Sequence, residues 1–172
     1  MATLFLIERP KHNSPAIRDA AIDTILPEVL SWLQKDGIAE DRPEEVRVDL
    51  ANALHGLSDG YEAARSLDRD GWSPDARLVE ILDGFSYVEH AAHRKAVKAW
   101  VVESGEFLKP QFEVGQQVSF KRNFGRETVT GKIVSIDMES ATYTVEKPGD
   151  GITKNGCTTI GSVINWEDAE AA

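Results

Sequence analysis

The feature that most constrains this chain is a change in the repeat of its apolar residues near Pro110. Before that point they recur every third or fourth position, and after it every second. The first spacing lines one side of a helix, and the second lines one face of a strand. The chain therefore reads as α+β: a helical bundle of about five helices, then a small β-barrel. The expected boundaries are a helical domain with a short leading strand over 1–106, a hinge over 107–111, the barrel over 112–166, and a flexible tail over 167–172. A length of 172 residues holds one large domain or two small ones. Trp32, Trp72, Trp100 and Trp166 supply large apolar anchors for their cores.

Thr3-Leu-Phe-Leu-Ile7 is short, apolar and rich in strand formers, and Pro10 stops it. A lone strand needs a partner for its backbone, either the later sheet or a second copy of the chain. Ser14-Pro15 is a helix start, a hydroxyl cap followed by a proline where no amide hydrogen is needed. Ile22, Ile25, Leu26, Val29, Trp32 and Leu33 follow as one stripe. Pro27 within that stripe predicts a kink, or a split after Thr24.

A second helix is predicted from Pro43, burying Val46, Leu50, Ala53, Leu54 and Leu57. A third, over about 59–70, turns Gly60, Ala63, Ala64 and Leu67 inward, small residues that permit close helix approach. Gly71-Trp-Ser-Pro74 stops one helix and starts the next. Leu78, Ile81, Leu82 and Phe85 line the fourth, and Gly84 and Ser86 mark a break before a fifth over about 87–103.

Beyond the hinge, Val118–Arg122, Thr128–Asp137 and Ala141–Glu146 alternate as strands, with Val129, Ile133, Ile136, Tyr143 and Val145 inward. Met138-Glu-Ser140 is a tight hairpin link. Cys157–Ile160 reads as a fourth strand, and Ser162–Trp166 as one helical turn or a closing strand. Short, bent strands this close in sequence tend to curl into a barrel. The run "FEVGQQVSF", "TVTGKIVSID", "ATYTVEK" and "TTIGSVINW" resembles Src-homology-3-like small barrels of the Tudor and KOW kind. The resemblance covers about 112–166. It implies a bent second strand and a short helical turn before the last strand. Such barrels bind nucleic acid, peptides or other proteins, so the resemblance selects no single ligand.

Three cations and a ring stand together in Lys121-Arg-Asn-Phe-Gly-Arg126, which joins the first two barrel strands. Lys121, Arg122, Phe124 and Arg126 are the candidate binding residues. The cations suit phosphates or an acidic protein surface, and Phe124 could stack on a base. A solvated hairpin tip, with Asn123 and Gly125 serving the turn, explains the same residues without a ligand. Phe120, Phe124, Tyr143 and Trp166 could together cage a methylated cation. Phe120 and Tyr143 belong to the inward set, however, so core packing is the expectation.

Glu89-His90-x-x-His93 puts two imidazoles at a spacing that can bind a metal. Their position at the edge of the apolar face favours a structural role, and neither a metal nor a cofactor is expected. His55 falls opposite its helix's apolar face and is expected in solvent. Arg94, Lys95 and Lys98 form a basic stripe that nearby carboxylates can pair. Glu40, Asp41, Glu44, Glu45 and Asp49 gather around a helix N-terminus, where the dipole favours them.

The net charge is −10, and residues 1–106 carry 12 Lys and Arg against 20 Asp and Glu. A duplex would repel that part as a whole. Cys157 is the only cysteine, so no internal disulfide or zinc cluster can form, which fits a reducing, cytoplasmic setting. Thr3–Ile7 is too short for a leader, and no stretch approaches the length that spans a bilayer. Gly149–Gly156 has the wrong order for a phosphate loop, and no G-x-S-x-G occurs.

The expected role is non-catalytic binding of another protein, as an interaction or adaptor module, a regulator or an inhibitor. Small acidic chains of this size are common among phage-encoded proteins that block host defence, although no motif here marks that role. The alternative is RNA or DNA binding through the basic-aromatic loop. A third reading is an enzyme that uses His90 and His93.

Overall fold

In the computed structural model the described residues are 8–35, 42–56, 59–105, 108–122, 125–148, 150, 153–154, 157–158 and 161–172. The leading strand expected over 3–7 lies outside them. The helices are α1 (Pro15–Lys35), α2 (Pro43–Ala53), α3 (Gly60–Arg69), α4 (Ala76–Asp83) and α5 (Phe85–Ser104). The strands are β1 (Gln117–Arg122), β2 (Glu127–Asp137), β3 (Thr142–Glu146), β4 (Thr153–Lys154), β5 (Cys157–Thr158), β6 (Ser162–Asn165) and β7 (Glu170–Ala171). The protein is α+β, with helices first and an antiparallel sheet second.

Two compact units divide the chain between Ala96 and Val97, within α5. That is earlier than the hinge expected over 107–111. The cause is the second core, in which Val97, Trp100 and Leu108 are buried together with Val118, Phe120, Ile133 and other sheet residues.

In the unit of residues 9–96, Pro15 opens α1, with the Ser14 carbonyl accepting from Ile17 and Arg18. Asp59 and Asp75 cap α3 and α4, accepting from the amides of Tyr61 at 2.7 Å and Leu78 at 2.9 Å. Pro27 does not split α1, so of the two expected outcomes, a kink or a break after Thr24, the break does not occur. One carbonyl loses its helical donor there, but Ile22, Ile25, Val29 and Trp32 bury a stripe that runs through the site. The break between α4 and α5 is confined to Gly84, which keeps a helical φ of −68°.

The core gathers that stripe with Leu50, Ala53, Leu67, Leu78 and Leu82. Trp32 and Trp72 stack with ring centroids 6.3 Å apart. Each indole N–H donates to a carboxylate, Trp32 to Asp75 at 2.8 Å and Trp72 to Asp49 at 3.1 Å. Gly60 is present for close approach. A Cβ there would lie 2.7 Å from the Val79 carbonyl oxygen and would also strike the Asp83 backbone.

In the second unit the sheet order is β6-β3-β2-β1-β7. Among the described residues this is an open sheet and not clearly the closed barrel expected from the sequence. Among the described residues no ladder joins β6 to β1 or β7. A 3-10 turn (Trp166–Asp168) links β6 to β7 instead, and β7 pairs only with Val118 and Ser119. The end expected as a flexible tail over 167–172 is thus the 3-10 turn and β7. The expected fourth strand at Cys157 is also placed differently. β5 pairs with β4 in a separate two-stranded hairpin, outside the main sheet.

β2 is long enough to pair with β1 along its first half and β3 along its second. Its register shifts between Ile133 and Ser135, so Val134 bulges out. The bulge explains how Ile133 and Ile136 both face inward without sharing a parity. A Cβ on Gly131 would fall 2.6 Å from Val145 Cγ1 and 2.7 Å from the Glu146 oxygen, so only glycine lets β3 lie this close. Asp137 Oδ1 accepts from the amides of Glu139 and Ser140 and turns the chain into β3, with Ala141 at φ 50°. Those bonds hold the Asp137 carboxyl below its usual range, the Ser140 hydroxyl and amide contributing most.

Candidate functional site

β1 reaches past its neighbour. Its pairing with β7 ends at Ser119, while Phe120, Lys121 and Arg122 continue. Their outer edge has no ladder partner among the described residues. β6 is the other edge of the sheet and, among the described residues, pairs on one side only, with β3. Between these edges lies a groove of about 420 Å³. One wall is Phe120–Arg122 and the other is the whole of β6, with Asp168 beside it.

Lys121 and Arg122 are exposed along this groove. Arg126 is exposed across the turn, where the amide of Gly125 (φ 83°) donates to the Arg122 carbonyl at 3.0 Å. Among the described residues no ion pair engages Lys121, Arg122 or Arg126. Phe124 lies outside the described residues. The structure thus brings Lys121 and Arg122 onto a groove and sets Arg126 next to their turn. Asp168, the one carboxylate lining the groove, already accepts from Asn165 Nδ2 at 2.8 Å.

The aromatic cage is not formed. Phe120, Tyr143 and Trp166 are buried at 3%, 0% and 0% exposure and pack in the core. Tyr143 and Trp166 sit 6.0 Å apart, and the Tyr143 hydroxyl accepts from the Phe112 amide at 3.1 Å. Burial pushes the Tyr143 phenol above its usual range.

β6 was missed as part of the site. Its signal was Val163, an apolar residue that alternation turns to solvent, where it is 68% exposed. Antiparallel pairing turns alternate backbone groups toward and away from the neighbour. Trp166 donates to the Ala141 carbonyl at 3.1 Å, and the register continues through Ile164↔Tyr143 and Ser162↔Val145. Val163 therefore points its N–H and C=O away from β3, and Asn165 its N–H.

The histidines form a second polar cluster, in the helical unit. His12, which precedes α1, places Nε2 2.8 Å from His90 Nδ1, with ring centroids 4.3 Å apart. His93 is 5.1 Å from His12 by centroid, and its Nε2 donates to the Pro10 carbonyl at 3.0 Å. Glu89 stands beside them, 4.0 Å from Arg18. Burial, then the neighbouring His90, holds the His12 imidazole below its usual range. Among the described residues no group of three or more His, Cys, Asp or Glu could hold a metal ion. Spacing alone could not reveal His12, which is remote from α5 in sequence.

Some members of the other charge clusters have local partners. Lys98 pairs with Glu139 at 3.0 Å, Glu45 with Arg42 at 3.2 Å, and Asp49 accepts from Trp72. Glu40 and Asp41 lie outside the described residues. His55 is exposed. No helix of the described residues is long and apolar enough to cross a membrane.

No protein-family model, curated protein or solved structure matches the chain. The site therefore has to be read from its own chemistry.

Proposed function

We propose that the protein is a non-catalytic binding protein that engages another protein through the groove between β1 and β6. The observation that carries this reading is the pairing of an open strand edge with two exposed cations, Lys121 and Arg122, that form no ion pair with a described carboxylate, although Glu127 stands opposite Arg122 in the β1–β2 register. A cation spends little on holding a surface pair, so its solitude alone means little. Beside a groove of this size, in a chain of net charge −10, it sets a local positive field that suits an acidic partner. An adaptor, regulator or inhibitor role fits such a surface. The small-barrel likeness is supported by the meandering strand order and by the 3-10 turn before the last strand.

RNA or DNA binding is the second reading. Exposed Lys121, Arg122 and Arg126 around one turn favour it, with Phe124 as the stacking ring. One pair of experiments separates the two. A photo-cross-linking residue replacing Val163 should yield a discrete protein adduct in native lysate, lost when Lys121 and Arg122 are changed to Glu. Labelled single-stranded DNA and RNA at low salt should show no anisotropy change. Absence of any charge-dependent protein adduct would end the first reading. Salt-sensitive oligonucleotide binding, abolished by Arg122→Glu with Arg126→Glu, would install the second.

A further inference from the structure

We infer that the groove takes an extended acidic segment of the partner protein, which adds to the β6 edge as a new strand. The inference rests on the protein-binding reading above and specifies how that surface works.

The backbone supplies the first half of the argument. Val163 offers a donor and an acceptor, and Asn165 a donor, on the side of β6 that faces away from β3. A main-chain edge of this kind pairs with any extended chain, and recognition by strand addition draws its affinity from those bonds. Four residues of β6 span roughly 13 Å, so three to five residues of an added strand suffice. The opposite wall is also strand, since Phe120–Arg122 extend beyond the end of β7. A guest strand would stand in the gap where the open sheet fails to close on itself.

Charge decides the kind of guest. Lys121 and Arg122 line the same groove from opposite faces of β1, and Asp168 there is engaged by Asn165. Side chains on the two faces of a strand alternate, so every second residue of the guest can carry a carboxylate toward Arg122 while the others lie on the outward face of Val163 and Lys121. β6 itself carries no charged side chain (Ser162-Val-Ile-Asn165), so Asp168 beside it, held by Asn165, is the one anion on that wall of the groove. This is also the usual weakness of an edge strand: natural sheets blunt exposed edges with lysine, proline or a bulge, and β6 has none of these.

The test uses the full chain and a fluorescein-labelled alternating Glu-Val hexapeptide. Three companion probes are a Lys-Val hexapeptide, a Glu-Val hexapeptide with N-methylated valine amides, and a single-stranded oligonucleotide of similar charge. The Glu-Val peptide should bind. Methylation should weaken it at least tenfold, because it removes donors while keeping charge. Arg122→Glu should also weaken it at least tenfold, and the Lys-Val peptide should not bind. On binding, hydrogen exchange at the Val163 and Asn165 amides should slow at least tenfold.

Equal binding of the methylated peptide, with unchanged exchange at Val163 and Asn165, would overturn strand addition while leaving protein binding in place. Failure of the Glu-Val peptide to bind would overturn the inference, as would binding of the oligonucleotide alone. Val163→Pro removes the outward donor and should reproduce the effect of methylation. The modified peptide keeps the inference falsifiable should that variant misfold.

Discussion

The two units handle their polar groups in opposite ways. In residues 9–96, polar side chains reach across elements to one another. Arg47 of α2 bonds Asp23 at 2.7 Å and approaches Asp19 at 3.3 Å, both on α1. Arg77 of α4 pairs with Glu28 of α1, two tryptophans donate to remote aspartates, and His12 meets His90. In the sheet unit the exposed cations of the β1–β2 turn form no ion pair with a described carboxylate, and two strand edges stop short of each other. A helix satisfies its backbone within itself, so its surface charges are spent on tying neighbours together. A sheet leaves its backbone open at its edges. Among the described residues, the unit with fewer polar ties between elements is also the one with open strand edges.

Substitutions in each unit put that contrast to the test. The largest effects should come from the two glycines that allow close approach. Gly131→Ala and Gly60→Ala each force a methyl onto backbone atoms that cannot move cheaply, and each should cost about 1–3 kcal/mol in urea denaturation. A neutral result at Gly131 would mean that β3 can retreat from β2, and the sheet would be looser than its register implies.

A smaller effect should appear on acidification. The folded His12 sits below its usual value, so the unfolded chain binds the proton more tightly, and stability rises with pH. The contribution is complete above about pH 6.5 and is lost as pH falls below that toward the folded value. Melting followed from pH 7.5 to 5.0 should show the decline in the natural chain and a shallower one in His12→Asn. An unchanged slope would remove the histidine cluster from the list of internal ties.

The smallest effects separate the cations themselves. Arg47→Ala should lower stability measurably, because it releases Asp19 and Asp23 together. Arg122→Ala should leave stability within about 0.5 kcal/mol. Equal losses would erase the difference drawn between the units.

Much of this was legible in the sequence, and the failures have physical causes. The change of period located both the helices and the strands, because burial imposes it directly on side-chain spacing. The split offered as one outcome at Pro27 did not occur, since a long apolar stripe can carry a helix through one missing bond. The end of the chain read as a loose tail because Glu170-Ala171 has no strand pattern. Its pairing with Val118 and Ser119 is made by backbone, which leaves no mark in side chains. Strand alternation likewise says nothing about which edges meet, so a barrel was expected where an open sheet stands. Asn155-Gly156 between β4 and β5 is a hairpin signal that was passed over. Of the candidate site, the cations were found by composition, whereas the β6 wall required the register.

The manner in which β7 joins the sheet has a consequence in time. β1, β2 and β3 follow one another through short links, so each hairpin can form with its immediate neighbour. The contact of β7 with β1 closes a loop that contains every other strand, and only two residue pairs reward that closure. It should be the last seam to form and the first to part. Brief partings there would lengthen the free rim of β1 from Phe120 back to Val118, giving a visiting chain a longer landing strip than the resting structure displays.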